Sequence, residues 1–129
     1  MSKTLAFSRF ALFLVYFWFG ILKVIGESAA SPMVLGLLDS TLPFLEPGMF
    51  LIGFGAFEVL IGTLFLFPRV QNFALALLAL HMVAVFLPLA LLPALSWQGF
   101  LVPTIEGQYI VKNILIIALA LNIATAKEN

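Results

Sequence analysis

The sequence contains no cysteine and only one histidine, His81. Without cysteine there is no disulfide, no thiol redox relay and no iron–sulfur ligation. One histidine excludes a bis-histidine haem within a single chain and argues against a self-contained zinc site. We therefore expect no metal site and no covalently bound cofactor, so that a redox role would require a diffusible cofactor or another subunit.

Charge is also scarce. Charged residues make up 9% of the 129 residues, and the net charge is zero, so nucleic-acid binding has no electrostatic support. Hydrophobic residues account for 64%, against about 45 to 50% in a typical soluble domain. The mean hydropathy is +1.20. This composition predicts a single integral membrane domain whose main partner is the lipid bilayer.

Four apolar runs are long enough to cross a bilayer. The 18 residues from Phe50 to Phe67, for example, would span roughly 27 Å as a helix. We predict an all-α membrane protein with four transmembrane helices in an antiparallel bundle, at about residues 10–25, 50–67, 71–92 and 109–126. Ser31 and Pro32 suit a helix start, which predicts a short surface helix in the first long loop. Pro88 predicts a kink in the third helix, and residues 93–107 are expected to form a loop.

The basic residues indicate an orientation for the bundle. Lys3, Arg9, Arg69 and Lys127 fall at the two termini and in the second loop, whereas the first and third loops carry acidic residues only. The positive-inside bias therefore places both termini in the cytoplasm.

A cleavable signal peptide is the alternative interpretation of the first apolar run. The small residues Ser28, Ala29 and Ala30 follow that run and would suit cleavage. Lys23 interrupts the approach to such a site, and cleavage would remove one helix from the bundle. We therefore expect the first run to be retained as a transmembrane helix.

Two polar residues lie deep in the apolar runs. An ionisable group at mid-membrane costs at least ~2.5 to 3.5 kcal/mol, so Glu58 should face protein and have a partner. Glu58 and His81 reach similar depths on helices that a tight turn makes antiparallel neighbours. We therefore predict a hydrogen bond between them. Trp18, at a comparable depth on the first helix, is expected to form an aromatic wall beside Glu58.

A second polar group lies nearer the predicted outer surface. Lys23 and Lys112 are each about one turn below it, and helical spacing places Glu106, Tyr109 and Asn113 with Lys112 on one broad face. These residues could form a polar stack above the deeper pair, opening outward. The alternatives are that both lysines extend to the lipid headgroups and that the cluster at 106–113 is only a helix start.

The deeper pair has its own alternative. Glu58 and His81 could form a purely structural hydrogen-bonded lock in the bundle instead of a ligand or proton site.

Five segments together resemble small bacterial DoxX-like membrane proteins. They are WFGILK at 18–23, the loop SAASPMVLGLLDSTLPF, FEVLIG at 57–62, ALHMVAVFLPLALLP at 79–93 and PTIEGQYIVKN at 103–113. The resemblance covers nearly the whole chain and implies a four-helix inner-membrane bundle associated with quinone-linked oxidoreductases. It carries over no catalytic residues. The matches to family motifs are Glu58, His81, Glu106, Tyr109, Lys112 and Asn113.

From these observations we expect an accessory subunit of a quinone-linked membrane redox system, with an intramembrane ligand or proton site. Quinone would be the diffusible cofactor and a membrane or redox protein the partner, while catalysis by this chain itself stays open. The alternative is a non-catalytic assembly or stress-response factor whose polar core is structural. A transporter is a weaker third hypothesis, because four helices leave little room for alternating access unless the chain forms a homo-oligomer.

Overall fold

A computed structural model describes residues 2–27 and 31–126, of which 80% are helical. Residues 28–30, which would have carried the signal-cleavage site, and Lys127 lie outside the described residues. In chain order the elements are α1 (Lys3–Val24), α2 (Ser31–Thr41), α3 (Pro47–Leu64), a 3-10 turn (Pro68–Val70), α4 (Gln71–Phe86), α5 (Pro88–Leu91), α6 (Pro93–Ser96), strands β1 (Trp97–Gly99) and β2 (Val102–Pro103), α7 (Ile105–Val111) and α8 (Asn113–Thr125).

Four helical segments are long and apolar enough to cross a membrane, as predicted: Lys3–Val24, Pro47–Leu64, Pro68–Leu91 and Ile105–Thr125. The first, second and fourth of these segments begin earlier than the apolar pattern suggested, at residues 3, 47 and 105 instead of 10, 50 and 109. The reason is capping. Side-chain oxygens of Ser2, Glu46 and Thr104 accept hydrogen bonds from the first free backbone amides of α1, α3 and α7.

The third apolar segment is divided at Leu87 into α4 and α5, directly before Pro88, the position from which a kink is predicted. The chain after the break folds back onto it. Ser96 Oγ donates to the carbonyl of Pro88 at 2.9 Å, and Trp97 Nε1 donates to that of Leu89 at 2.9 Å. The carbonyl of Pro88 also accepts the backbone N–H of Leu92. Pro93 has no N–H to offer the carbonyl of Leu89, so Trp97 supplies the donor there.

The predicted loop at 93–107 is wrong in part. It contains α6, a two-stranded antiparallel hairpin and the start of α7, so the structure is not purely α-helical. Trp97 pairs with Pro103, and Leu101 adopts φ +58° in the turn. Apolar periodicity missed this hairpin because its strands are only three and two residues long. The short helix predicted after Ser31 is present as α2.

The most extensive helix contact among the described residues joins α1 to α3, which run in opposite directions. A Cβ atom added to Gly20 would lie 2.6 Å from the carbonyl oxygen of Gly55, and one added to Gly55 would lie 2.5 Å from that of Gly20. Gly62 approaches Tyr16 and Phe13 in the same way, farther along. Glycine is therefore required along this contact, which we call the glycine seam.

Arg9 contributes to the interior instead of flanking the first helix. Its side chain is buried, with Nη1 donating to the carbonyl of Phe65 at 3.0 Å and Nη2 donating to Gln71 Oε1 at 2.6 Å. Arg9 thus ties α1 to the end of α3 and the start of α4. The prediction had counted it only as a basic residue at the terminus.

Candidate functional site

The glycine seam brings two opposite charges together. Tyr16, Gly20 and Lys23 follow one another at spacings of four and three, so they share one face of α1. Glu58 lies on the facing side of α3, one turn from Gly55. Because the two backbones touch at the glycines, Lys23 Nζ reaches within 2.8 Å of Glu58 Oε1.

The other carboxylate oxygen of Glu58 meets the histidine. His81 Nε2 lies 2.8 Å from Glu58 Oε2, which confirms the predicted hydrogen bond, and the Tyr16 hydroxyl lies 3.0 Å from His81 Nδ1. All four side chains are almost completely buried, with exposed fractions of 4 to 6%. Lys23, Glu58, His81 and Tyr16 therefore form one continuous buried group, which we call the polar cluster.

If Glu58 is ionised beside Lys23, hydrogen-bonding rules assign the proton positions in the polar cluster. An ionised carboxylate can only accept hydrogen bonds, so Nε2 of His81 carries a proton and donates it to Glu58. In the neutral imidazole Nδ1 is then the acceptor, and the Tyr16 hydroxyl donates to it. Glu58 Oε1 is paired with Lys23 Nζ by charge, but the angles between the two groups are not those of a hydrogen bond. Among the described residues Oε1 has no hydrogen-bond partner.

Aromatic rings hold the imidazole of His81 in place. Phe54 stacks on it with ring centroids 5.2 Å apart and planes 25° from parallel, Tyr16 meets it edge-on at 5.1 Å, and Phe57 lies 6.1 Å away. Lys23 Nζ also lies 6.0 Å from the centre of the Phe54 ring. This packing fixes the orientation of the ring and hence of both its nitrogen atoms.

The polar cluster borders a cavity of about 730 Å³, within the roughly 300 to 1,000 Å³ of typical small-molecule sites. All four of its side chains contribute to the lining. Apolar groups of α2, α4 and α5 form much of the facing wall: Met33, Val34 and Leu37 of α2, Ala84 and Val85 of α4, and Pro88 of α5. The cavity thus combines a mostly apolar surface with a buried, charged, hydrogen-bonding region.

The predicted upper group also lines this cavity. Glu106 and Tyr109 of α7, Lys112 at the junction with α8, and Asn113 all contribute. Their exposure is higher than that of the polar cluster, and Lys112 Nζ lies 5.7 Å from the centre of the Tyr109 ring. They therefore form a rim, which we call the outer rim.

The two lysines of the predicted stack behave differently. Lys23 is buried and paired with Glu58, so its extension to the headgroups is wrong. Its Cβ lies beside Gly55, one turn from Glu58 toward the start of α3, and its ammonium group reaches the carboxylate from there. Lys112 is exposed, and for this residue both the stack and the headgroup interpretations stand.

Trp18 is not part of the site. Its side chain is 57% exposed and lies outside the cavity lining, stacked at 6.5 Å on Phe19. Residue 18 is two positions, or about 200° of helical rotation, from both Tyr16 and Gly20, so it points away from α3. Depth alone suggested Trp18, and the aromatic ring beside the polar cluster is Phe54 instead.

Two site residues were missed in the sequence. Tyr16 is seven residues before Lys23 and four before Gly20, and that spacing on the face of α1 that contacts α3 could have identified it. Phe54 is four residues before Glu58, on the same face of α3. Neither stands out by residue type among 14 phenylalanines and 2 tyrosines in this chain.

The described residues give no indication of a metal centre, because no three side chains of His, Cys, Asp or Glu among them gather closely enough to hold an ion. The residues able to hold a ligand are those of the polar cluster and the outer rim. Comparison of the chain with protein-family models, curated proteins and solved structures gives no match.

Proposed function

We propose that the chain spans the bacterial inner membrane as an antiparallel four-helix bundle with both termini in the cytoplasm. Four sufficiently long and apolar helices support the spanning, and the antiparallel contact of α1 with α3 supports the bundle. The basic residues near the N-terminus and at Arg69 support the orientation. The cavity then opens toward the outer side, because its outer rim lies at the start of the last span.

The cavity binds a small lipid-soluble molecule with a polar oxygen, and a quinone is the ligand class that fits best. An apolar wall suits a ring and a hydrocarbon tail, whereas the polar cluster offers buried hydrogen-bond partners to an oxygen atom. The observation that carries this proposal is the buried Lys23–Glu58–His81 array on the wall of a cavity large enough for a ligand.

Proton exchange is the chemistry that this arrangement supports. Reduction of a quinone to a quinol consumes two electrons and two protons, and a buried histidine paired with a carboxylate is a suitable proton donor and acceptor. In this proposal the electrons come from a membrane or redox protein partner. The chain acts as an accessory subunit that binds the ligand and positions its protons.

Binding of a short-chain benzoquinone to the detergent-purified protein tests the proposal. We expect native mass spectrometry to detect a retained quinone and titration calorimetry to detect binding. Glu58→Gln keeps the shape of the side chain but removes its charge, so it should weaken binding and slow quinone-linked redox rates in membranes. Trp18→Phe, outside the cavity, is the matched control. A protein that neither retains nor binds quinone, with redox rates unchanged in Glu58→Gln, would contradict the proposal.

A structural role for the polar cluster is the second candidate function. Both oxygens of Glu58 are already engaged, one with Lys23 and one with His81, as in a lock that holds three helices together. This candidate corresponds to a non-catalytic assembly or stress-response factor. It predicts that Glu58→Leu prevents folding, that the chain co-purifies with a stable partner, and that Glu58→Gln protein which still folds shows no change in quinone binding.

A further inference from the structure

The Tyr16 hydroxyl has hydrogen-bonding capacity that its contact with His81 does not use. A hydroxyl offers one donor and two acceptor positions, and the 3.0 Å contact with His81 Nδ1 occupies one of them. Tyr16 also lines the cavity. It is therefore a member of the polar cluster that can hydrogen-bond to His81 and to a ligand at the same time.

We propose that the Tyr16 hydroxyl is the group that contacts the ligand oxygen, and that His81 decides whether this hydroxyl donates or accepts. Binding of the oxidised, carbonyl form of the ligand would then take up one proton, whereas binding of the reduced, hydroxyl form would take up none. This inference rests on the proposed function, which it deepens by assigning the contact atom and the proton count.

With neutral His81, Tyr16 is an acceptor toward the cavity. Nε2–H donates to Glu58, and the lone pair of Nδ1 accepts the hydroxyl proton of Tyr16. The remaining lone pairs of the Tyr16 oxygen can accept a hydrogen bond but have no proton to give. This state suits a ligand that presents an O–H group, such as a quinol. A carbonyl oxygen is disfavoured, because two acceptors would then face each other without a proton between them.

With protonated His81, the direction of the bond reverses. Both ring nitrogens then donate, Nε2–H to Glu58 and Nδ1–H to the Tyr16 oxygen. The hydroxyl proton of Tyr16 is released from His81 and turns to a carbonyl oxygen in the cavity. One proton enters from solvent, no covalent bond to the ligand forms, and no electron moves. A quinone therefore favours the protonated state and a quinol the neutral one.

The surroundings of His81 allow both states. From α1 it faces Tyr16, and from α3 it faces Glu58, whose charge would stabilise an imidazolium directly. Lys23 disfavours an imidazolium, because its own positive charge is paired with the same carboxylate. The other ionisable groups that line the cavity are Glu27, Glu106, Tyr109 and Lys112. Because two of these four groups are acids and only one is a lysine, they do not repel an incoming proton.

Proton uptake on binding tests this inference in the intact wild-type protein. A short-chain benzoquinone and its quinol, kept reduced, are each titrated by calorimetry at one pH in phosphate and in Tris, which have different ionisation enthalpies. The difference in heat between the buffers gives the protons taken up per ligand. We expect up to one proton for the quinone and close to none for the quinol.

Tyr16→Phe removes the hydroxyl but keeps the ring that packs against His81. We expect proton uptake with quinone to fall to zero and quinone affinity to fall by about three- to tenfold, the value of one hydrogen bond. The control Trp18→Phe, on the same helix but outside the cavity, should retain both the affinity and the proton count. The wild-type proton counts decide the inference even if Tyr16→Phe does not fold.

Quinone binding without proton uptake, or equal uptake for quinone and quinol, would overturn the role of Tyr16 and His81 while leaving quinone binding intact. Proton uptake that persists in a folded Tyr16→Phe protein would overturn it as well. If neither the quinone nor the quinol binds, the proposed function is overturned, and this inference with it.

Discussion

Removing the charge of Lys23 should destabilise the protein more than any change on its surface. In Lys23→Met the carboxylate of Glu58 keeps His81 but loses the ammonium group 2.8 Å away. The methionine side chain is unbranched and only one heavy atom shorter than that of lysine, so packing against Phe54 is largely kept. The effect of this substitution therefore reports on charge instead of volume.

The distance gives the size of the effect. At 2.8 Å and an effective dielectric constant of about 20, the gross attraction between two unit charges is about 6 kcal/mol. Desolvation of both groups offsets much of it, so the net value of the pair is small. Removal of one partner leaves the other charge buried and unpaired, which typically costs about 3 to 5 kcal/mol. We expect that loss in Lys23→Met and a similar loss in Glu58→Gln.

The double variant Lys23→Met/Glu58→Gln separates this explanation from a simple loss of contacts. Without either charge, no ion is left buried alone, so its destabilisation should be smaller than the sum of the single effects by at least about 2 kcal/mol. Reversible unfolding in mixed micelles, followed by circular dichroism, measures all three variants. Lys112→Met, on the exposed rim, is the control and should change stability by about 0.5 kcal/mol or less. Additive single effects would refute the buried ion pair.

Three further predictions concern packing, backbone strain and the cavity wall. Gly55→Ala places a Cβ 2.5 Å from a backbone oxygen of α1, so it should lower stability by about 1 to 3 kcal/mol in the same unfolding assay. Gly53→Ala meets nothing within 4 Å and should raise stability by about 0.5 kcal/mol; equal melting of the two variants would contradict the seam. Leu101→Gly relieves a left-handed backbone at φ +58° and should stabilise the hairpin by up to about 1 kcal/mol in thermal melting. A lower melting temperature in this variant would contradict the prediction. Phe54→Leu should weaken benzoquinone binding several-fold in calorimetric titration whereas Trp18→Leu should not, and the reverse order would restore the original assignment of the aromatic wall.

Hydropathy and spacing were sufficient to predict the four long apolar helices and the contact between Glu58 and His81. Both predictions depend on strong physical constraints. A long apolar run has few alternatives to a spanning helix, and an isolated acid in such a run requires a partner. A tight turn between two helices then limits where that partner can be. The hydrogen bond at 2.8 Å therefore joins two residues that depth and the tight turn together had placed side by side.

Rotation about the helix axis was harder to predict. Trp18 and Tyr16 lie at nearly the same depth on α1, but only the second faces the cavity. The contact between the glycines at 20 and 55 sets this rotation. Helix starts were predicted too late because caps such as Ser2 and Glu46 act on polar backbone groups that an apolar pattern does not register.

The contact of backbone on backbone along the glycine seam also limits how the molecule can change shape. Where α1 and α3 touch without intervening side chains, rotation or sliding of one against the other would drive main-chain atoms into each other. These two helices should therefore behave as a single rigid unit that carries three of the four polar-cluster residues. Any widening of the cavity would therefore have to come from the facing wall, which α2, α4 and α5 form.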